Sequence, residues 1–251
     1  MIPKIIHYCW FGRNPLPDSA KKCIASWKKF FPDYEIREWN EDTYDITKIP
    51  YIREAYKAKK YAFVSDYARF DILYNVGGVY FDTDVEVIRP MDDILEKGAF
   101  MGCEIDGKDP DDPADNAMIA VAPGLGLAAE KGHPLYQKIL DYYTDLHFLT
   151  ENGAMNTETV VSHVTRVLFS EGLENIKGIQ TVAGITVYPK EYFNPRNNNT
   201  GVMTKTKNTR AIHWYSMTWL SKKERRRSQI TRLFHRLFGE DCFSFLKKQN
   251  R

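Results

Sequence analysis

The sequence predicts an α/β domain built on a parallel β-sheet, followed by a basic helical extension. Two observations lead to this fold class: the chain opens with a β-α-β pattern, and its later apolar strands are short and interspersed with helical segments. The 251 residues are 43% hydrophobic and 14% aromatic, which suffices for one sizeable core. We place the main domain at residues 1–220 and the extension at residues 221–251.

The first elements follow from local patterning. Residues 5–10 form an apolar run typical of a buried strand, which Gly12 interrupts. Asp18 is a suitable N-cap for a helix that continues to Phe31, with apolar side chains at helical spacing. Residues 34–39 predict a second strand, parallel to the first.

The later elements are predicted in the same way. A helix over residues 61–74 ends at Gly77-Gly78, and the apolar residues 79–81 form the next strand. Residues 194–208 have little apolar content and predict a loop. Further strands are expected at 85–88, 100–104, 118–122, 185–188 and 211–215, and further helices at 134–147 and 157–169.

Composition and charge limit the class of protein. No run of about 18 apolar residues suggests a membrane span, and the first residues lack a secretory signal pattern, so we expect a cytoplasmic protein. The four scattered cysteines lack a CxxC pair, which predicts reduced, structural thiols. The net charge is only +2, but residues 106–115 carry five aspartates and residues 222–251 are strongly basic. We expect the acidic segment to be a solvated loop.

Asp82-Thr83-Asp84 is the main candidate for chemistry. It follows an apolar strand, and ligands of open α/β sheets bind at the carboxyl ends of strands. On extended backbone, Asp82 and Asp84 would face the same side. Carboxylate oxygens suit Mg²⁺ or Mn²⁺, which would clamp a diphosphate. A solvated acidic turn is the alternative, because an isolated Asp-x-Asp is a weak signal.

Asp66 and Arg69 lie on the helix before this motif and share a face at i, i+3 spacing. An exposed ion pair would explain them without function. However, the apolar side chains Phe63, Tyr67 and Phe70 indicate that the helix packs on the domain, so its polar face could look toward the site. Arginine is a good phosphate ligand, and aspartate can bind sugar hydroxyls.

Three blocks of the sequence resemble a known family. They are residues 2–12 (IPKIIHYCWFG), the core block of residues 62–74 with 77–84 (AFVSDYARFDILY, GGVYFDTD), and residues 211–219 (AIHWYSMTW). The chain resembles the bacterial glycosyltransferases that have a sugar-binding region with an Asp-x-Asp motif, glycosyltransferase family 32. Yeast mannosyltransferases and the large clostridial glucosylating toxins share parts of this pattern.

This resemblance implies a GT-A fold, a nucleotide-sugar donor, Mn²⁺ or Mg²⁺ as cofactor, and transfer of a hexose with retention at the anomeric carbon. It implies that Asp84 ligates the metal, while Asp82 contacts the ribose and reaches the metal through water. It also implies that Asp66 and Arg69 hold the donor sugar and diphosphate, that Trp10 stacks on the base, and that His213 lies near the metal. The other implied donor contacts are Ser216 and Trp219 in a closing loop; His7 and Asn116 are further candidates.

Structural alternatives stay open for several of these residues. Trp10, His7 and His213 could each be core side chains, and Trp219 could simply pack against the extension. Asn116 adjoins the acidic loop and is placed at the start of a strand, where it could contact either acceptor or donor sugar. We favour attack of the acceptor on the face that the diphosphate leaves, because the core block has no spare carboxylate to act as a nucleophile.

The basic extension has amphipathic helical spacing. Ile230, Leu233, Phe234, Leu237 and Phe238 recur at one side of a helix whose other faces carry arginines. An interfacial helix on the inner face of the cell membrane would explain this pattern. A helix packed on the domain is the alternative. We expect no nucleic-acid partner, because no fold motif supports one.

Two other functions compete with glycosyl transfer. A phosphohydrolase of the haloacid dehalogenase type would use Asp82 as nucleophile. However, Glu86 stands where that family has threonine or valine. The strand before the motif should also begin the domain, whereas about eighty residues precede it here. A non-enzymatic membrane scaffold would leave the Asp-x-Asp motif unexplained. We therefore expect a metal-dependent hexosyltransferase that uses a UDP-sugar and a saccharide or lipid-linked saccharide acceptor, in surface or capsular polysaccharide synthesis.

Overall fold

The computed structural model describes residues 1–216, 222–239 and 242. Strands and helices alternate through this part of the chain. The strands are β1 (Ile5–Cys9), β2 (Glu35–Trp39), β3 (Gly78–Tyr80), β4 (Val85–Val87), β5 (Phe100–Ile105), β6 (Ala120–Val121), β7 (Leu127–Ala129), β8 (Gln180–Val182), β9 (Ile185–Tyr188) and β10 (Ala211–His213). The helices are α1 (Asp18–Phe30), α2 (Pro50–Lys57), α3 (Tyr61–Val76), α4 (Asp92–Leu95), α5 (Pro134–Thr144), α6 (Val160–Ser170), α7 (Lys190–Phe193) and α8 (Lys222–Phe238).

The central sheet is mixed. Its order is β2-β1-β3-β7-β5-β9-β8, with β6 beside β5. Strands β2, β1 and β3 are parallel, β7 runs against both β3 and β5, and β5 and β9 are parallel. The predicted α/β class and the opening β-α-β unit are therefore confirmed, with β7 as an antiparallel insertion. A separate two-stranded sheet joins β4 to β10.

Adjacent strand residues point to opposite faces of the sheet. Helices pack against both faces and form two cores. Ile6 and Tyr8 of β1 belong to one core, which includes Trp27 of α1. Tyr80 of β3 belongs to the other core, formed with side chains from α2, α3, α5 and α6. The residues that follow β3 therefore lie at the edge of a sheet whose two faces are both packed against helices.

Several sequence-based expectations need correction. Helix α1 begins at Asp18, but its N-cap is Pro17 and no side chain caps it; Asp18 pairs with Lys21 instead. The strand expected at residues 118–122 shortens to β6 and does not begin at Asn116. Helix α2 and strand β7 were not predicted. The former has only two turns, and the latter is a run of small residues without alternation.

Helix α3 differs from expectation in its surroundings. Its span agrees with the prediction, and Gly77 ends it with φ +74°. The helix is buried almost all round, so the Asp66 and Arg69 side chains are also enclosed. An exposed ion pair is therefore excluded for these two residues.

Three of the four cysteines are buried and all four are unpaired. No helix in the described part of the chain combines the length and apolarity needed to cross a membrane. The expected domain boundary at residue 220 falls outside the described residues.

Candidate active site

The Asp-x-Asp motif lies in a turn between β3 and β4, at the carboxyl end of a central strand. The backbone N–H of Val85 donates to the Asp82 carbonyl at 3.0 Å, which closes the turn. The expected extended conformation is therefore wrong, and the two carboxylates have different neighbours. Helix α1 fixes the far side of the turn, because the Trp27 indole N–H donates to the Val85 carbonyl at 2.8 Å.

Asp84 is held by residues that follow β10. Its Oδ1 lies 3.0 Å from His213 Nε2, and its Oδ2 accepts hydrogen bonds from the backbone N–H and the hydroxyl of Ser216, each at 2.8 Å. Pairing of β10 with β4 sets this contact, because His213 is directly opposite Val85. The segment that the sequence suggested as a closing loop thus meets the motif at Asp84.

The electrostatics of the Asp84 pair follow from these contacts. Burial alone would raise the pKa of the Asp84 carboxyl, but the His213 ring and the Ser216 donors outweigh it and hold that pKa well below its usual value. Burial lowers and Asp84 raises the pKa of His213, and the net shift is upward. His213 Nδ1 is buried and has no hydrogen-bond partner among the described residues.

Asp82 belongs to a second group of charges, centred on Arg69. Arg69 Nη2 lies 2.8 Å from Asp66 Oδ1 and 3.4 Å from Asp82 Oδ1. The Tyr80 hydroxyl donates to the same Asp82 oxygen at 3.1 Å, and the Arg69 guanidinium lies over the Tyr80 ring. One buried guanidinium therefore orients two carboxylates.

Two members of this group, Arg69 and Asp66, are enclosed by protein. The Arg69 side chain is 3% exposed and that of Asp66 is 11% exposed. Burial is the main reason why the pKa of Asp66 rises to about 7, and Asp82 adds to it while Arg69 opposes it. A polar or cationic ligand that reached these oxygens would relieve the cost of burying them.

Gly124 provides the space for Asp82. It lies in a short 3-10 helix, Pro123–Leu125, and its carbonyl accepts the Asp82 N–H at 3.2 Å. A Cβ on Gly124 would come within 2.1 Å of Asp82 Oδ2. Sequence analysis missed this residue, and its only signal is the local Pro-Gly-x-Gly run.

Tyr215 and Glu104 also border the site and were not foreseen. The Tyr215 ring meets the His213 ring edge to face at 4.2 Å between centroids. Its hydroxyl donates to Glu104 Oε1 at 3.3 Å, which brings the end of β5 to the same region. Tyr215 was part of the closing block, so position along the chain could have suggested it. Glu104 could only be found from the fold.

The hydrogen bonds of the other predicted donor contacts go to residues outside the two acidic groups. His7 is fully buried: its Nε2 lies 2.9 Å from the Gly77 carbonyl, and its Nδ1 accepts from the Trp39 indole at 3.0 Å. Burial lowers the pKa of His7 to about 4, so the ring is neutral. His7 thus contacts the residue that ends α3, and its assignment as a donor-binding residue stays a prediction.

Trp10, Asn116 and Trp219 complete the predicted set. Trp10 is half-buried, and its indole N–H donates to the Asn14 carbonyl at 2.6 Å. Asn116 is exposed in a loop and donates to the Ala114 carbonyl at 3.2 Å. Trp219 lies outside the described residues. The structure therefore brings together Asp66, Arg69, Asp82, Asp84, His213 and Ser216.

The sequence of this region matches a known family model. Residues 17–101 match the model described as "Glycosyltransferase sugar-binding region containing DXD motif". The match covers Asp66, Arg69, Asp82 and Asp84, which agrees with the family resemblance seen in the sequence.

The chain is also similar to fungal and viral proteins. Inositol phosphoceramide mannosyltransferase 3 of Schizosaccharomyces pombe is 31% identical over 147 residues, which are 55% of this chain and 36% of that protein. An uncharacterized glycosyltransferase of Acanthamoeba polyphaga mimivirus is 26% identical over 203 residues, 78% of this chain and 74% of that protein. The chain thus spans about a third of the length of the yeast relative.

Solved structures also align with the fold. The PaToxG glycosyltransferase aligns with a TM-score of 0.48 at 19% identity, over 68% of this chain and 70% of that one. A galactosyltransferase in complex with donor and acceptor sugar analogs aligns with a TM-score of 0.45 at 12% identity, over 91% of this chain and 95% of that one.

Asp84 and His213 are candidate ligands for a divalent cation. Carboxylate oxygens and an imidazole suit Mn²⁺, and Asp84 and His213 are close enough to share one ion. Within residues 1–216, 222–239 and 242, no group of three or more such side chains is arranged to hold a metal. Phosphate oxygens and water would therefore supply the remaining ligands.

Proposed function

We propose that the chain is a retaining, metal-dependent glycosyltransferase that transfers a hexose from a UDP-sugar to a saccharide or lipid-linked saccharide acceptor. The observation that carries this proposal is the meeting of two buried charged groups at the carboxyl end of β3. Arg69 joins Asp66 to Asp82, and Asp84 is held by His213 and Ser216. Both groups depend on residues of the matched sugar-binding region.

The residues divide into two roles in this proposal. Asp84 and His213 hold Mn²⁺ or Mg²⁺, which would neutralise charge on the departing diphosphate. Asp66 and Asp82 accept hydrogen bonds from sugar and ribose hydroxyls, while Arg69 orients both carboxylates. Ser216 keeps the Asp84 carboxylate in one orientation through two donors. The assignment of Trp10 to the base stays a prediction.

Retention is proposed through attack on the face that the diphosphate leaves. The four aspartates of the core block already have charged or hydrogen-bonded partners, Asp71 through Lys48 and Tyr44, so none stands apart as a nucleophile for the sugar. The acceptor proton would then pass to the leaving diphosphate. Covalent trapping of a hexose on an aspartate or glutamate of this chain would refute this mechanism.

The acceptor is the least constrained part of the proposal. A relative is named for transfer to inositol phosphoceramide, which supports a lipid-linked acceptor here. A role in surface or capsular polysaccharide synthesis and a cytoplasmic location remain predictions from the sequence.

The phosphohydrolase alternative has weaker support. Its nucleophile would be Asp82, but Oδ1 of that residue accepts from Tyr80 and pairs with Arg69, and Oδ2 lies against Gly124. A carboxylate with one oxygen already hydrogen-bonded and paired with a guanidinium is a poor attacking group. A non-enzymatic membrane scaffold would not explain the charged groups around Arg69 and Asp84.

Calorimetry tests the proposed donor site. We would titrate UDP and GDP into the wild-type protein with and without Mn²⁺, and repeat the titrations with Asp84→Ala. Asp33→Ala is the control, since this aspartate is exposed and pairs with Lys4 on the surface. We expect UDP binding that needs Mn²⁺, is lost in Asp84→Ala and persists in Asp33→Ala. Absence of nucleotide binding with metal present would refute the proposal.

A further inference from the structure

Helix α8 (Lys222–Phe238) presents its apolar side to the surroundings. Ile230, Leu233, Leu237 and Phe238 are 51%, 56%, 66% and 67% exposed. Their spacing places them along one side of the helix. A helix that packs on a water-soluble domain normally buries such a stripe, so this orientation is the reverse of the usual one.

Arg232 of α8 forms hydrogen bonds with the domain. Arg232 donates from Nε to the Asn198 carbonyl at 2.8 Å and from Nη2 to Asn198 Oδ1 at 2.7 Å. At roughly 100° per residue, Arg232 lies on the opposite side of the helix from Ile230. The helix therefore faces the domain with an arginine and faces away from it with its apolar side chains.

The positive charge around these apolar side chains indicates which kind of partner would bind them. Residues 222–239 contain seven lysines and arginines and one glutamate. Arg226, Arg227 and Arg236 are exposed. A second copy of the chain would bring the same positive charge against this surface, which is unfavourable. An anionic lipid surface offers both a complementary charge and an apolar layer.

We infer that α8 is an interfacial helix that docks on an anionic lipid bilayer. Its apolar side chains enter the boundary between headgroups and acyl chains, and the flanking arginines contact lipid phosphates. The hydrogen bonds of Arg232 hold the domain against this helix. This inference uses only the surface of α8 and does not require the proposed catalytic activity.

The position of α8 gives the docking a consequence for the site. Ser216, which holds Asp84, precedes Lys222 by six residues. A chain of that length spans at most about 22 Å, so the start of the helix stays near the acidic groups. If the proposed function holds, membrane docking brings the site close to a lipid-linked acceptor.

Vesicle flotation of the full chain tests the inference. We would compare phosphatidylcholine vesicles with vesicles that also contain phosphatidylglycerol, using the wild type and the variants Ile230→Ser and Leu237→Ser. Ile179→Ser is the matched control, because Ile179 is 52% exposed on a different part of the surface. We expect binding to anionic vesicles only, weakened by salt and reduced roughly tenfold by each α8 substitution. The control should bind like the wild type.

Two results would overturn the inference: no flotation with anionic vesicles, or equal flotation of all variants. Light scattering identifies the competing explanation, a wild-type dimer that Leu237→Ser dissociates without any vesicle binding. Circular dichroism and thermal unfolding confirm that each variant is folded. Because flotation needs no nucleotide, its outcome is independent of the calorimetric test of the donor site.

Discussion

Gly124 is a position where one added methyl group should disturb the candidate site. A Cβ there would lie 2.1 Å from Asp82 Oδ2 and 3.3 Å from Arg69 Nη1. Real Cβ atoms essentially never come within 3.0 Å of such a neighbour, so the carboxylate must move by at least 0.9 Å, the difference between the two distances. This shift would break the contacts of Asp82 with Tyr80 at 3.1 Å and Arg69 at 3.4 Å.

The expected cost has a stability part and a binding part. Overpacking of this kind costs about 1–3 kcal/mol of unfolding free energy, measured by urea denaturation of Gly124→Ala. Misplacing a ligand-binding group by about 1 Å should weaken Mn²⁺-dependent UDP binding roughly tenfold or more. The backbone of Gly124 needs no glycine-specific φ, so the effect comes from the contact and not from strain.

Two comparisons isolate the cause. In an Asp82→Ala background the clash is absent, so Gly124→Ala should cost about 1 kcal/mol less than in the wild type. Gly102→Ala is the control for overpacking elsewhere, since its Cβ would lie 2.6 Å from Phe193 Cδ2; it should lower stability but preserve UDP binding by the folded protein. Wild-type UDP binding by Gly124→Ala, or an equal cost in both backgrounds, would refute this reasoning.

Three further predictions concern other residues. Arg69→Ala leaves the buried carboxylate of Asp66 and the partly exposed carboxylate of Asp82 without their cation, so urea denaturation should show a loss of about 3–5 kcal/mol; a loss below about 1 kcal/mol would contradict the buried pairing of Asp66 with Arg69. His7 has a folded-state pKa of about 4 against 6.5 as its reference value, so the unfolded chain binds more protons between these values and stability should fall as pH drops through that window. His7→Gln should show a smaller decrease over the same range in pH-dependent unfolding, and an identical decrease would count against this role. Trp10→Ala should weaken Mn²⁺-dependent UDP binding by about tenfold if the indole stacks on the base, whereas unchanged affinity in calorimetry would assign Trp10 to a structural role.

Local patterning was sufficient to predict most of the elements. The apolar run of β1, the helical spacing of α1 and the glycine pair after α3 act within a few residues, and the structure places each near its predicted bounds. Strand β7 escaped prediction because its identity depends on pairing with β3 and β5, which are distant in sequence. The turn at Asp82 is likewise imposed by neighbours from other elements.

The chain by itself indicated the α/β class, the Asp-x-Asp motif and the pairing of Asp66 with Arg69, because these signals lie in short stretches. Tertiary structure alone decided that Asp66 and Arg69 are enclosed, that Gly124 makes room for Asp82, and that His7 is a neutral structural ring. The structure also shows that the apolar side of α8 is exposed, whereas the sequence left open whether that side packs on the domain. The physical reason is common to all four. Burial and contacts between charges depend on residues that the fold brings together, and local sequence patterns do not show which distant residues these are.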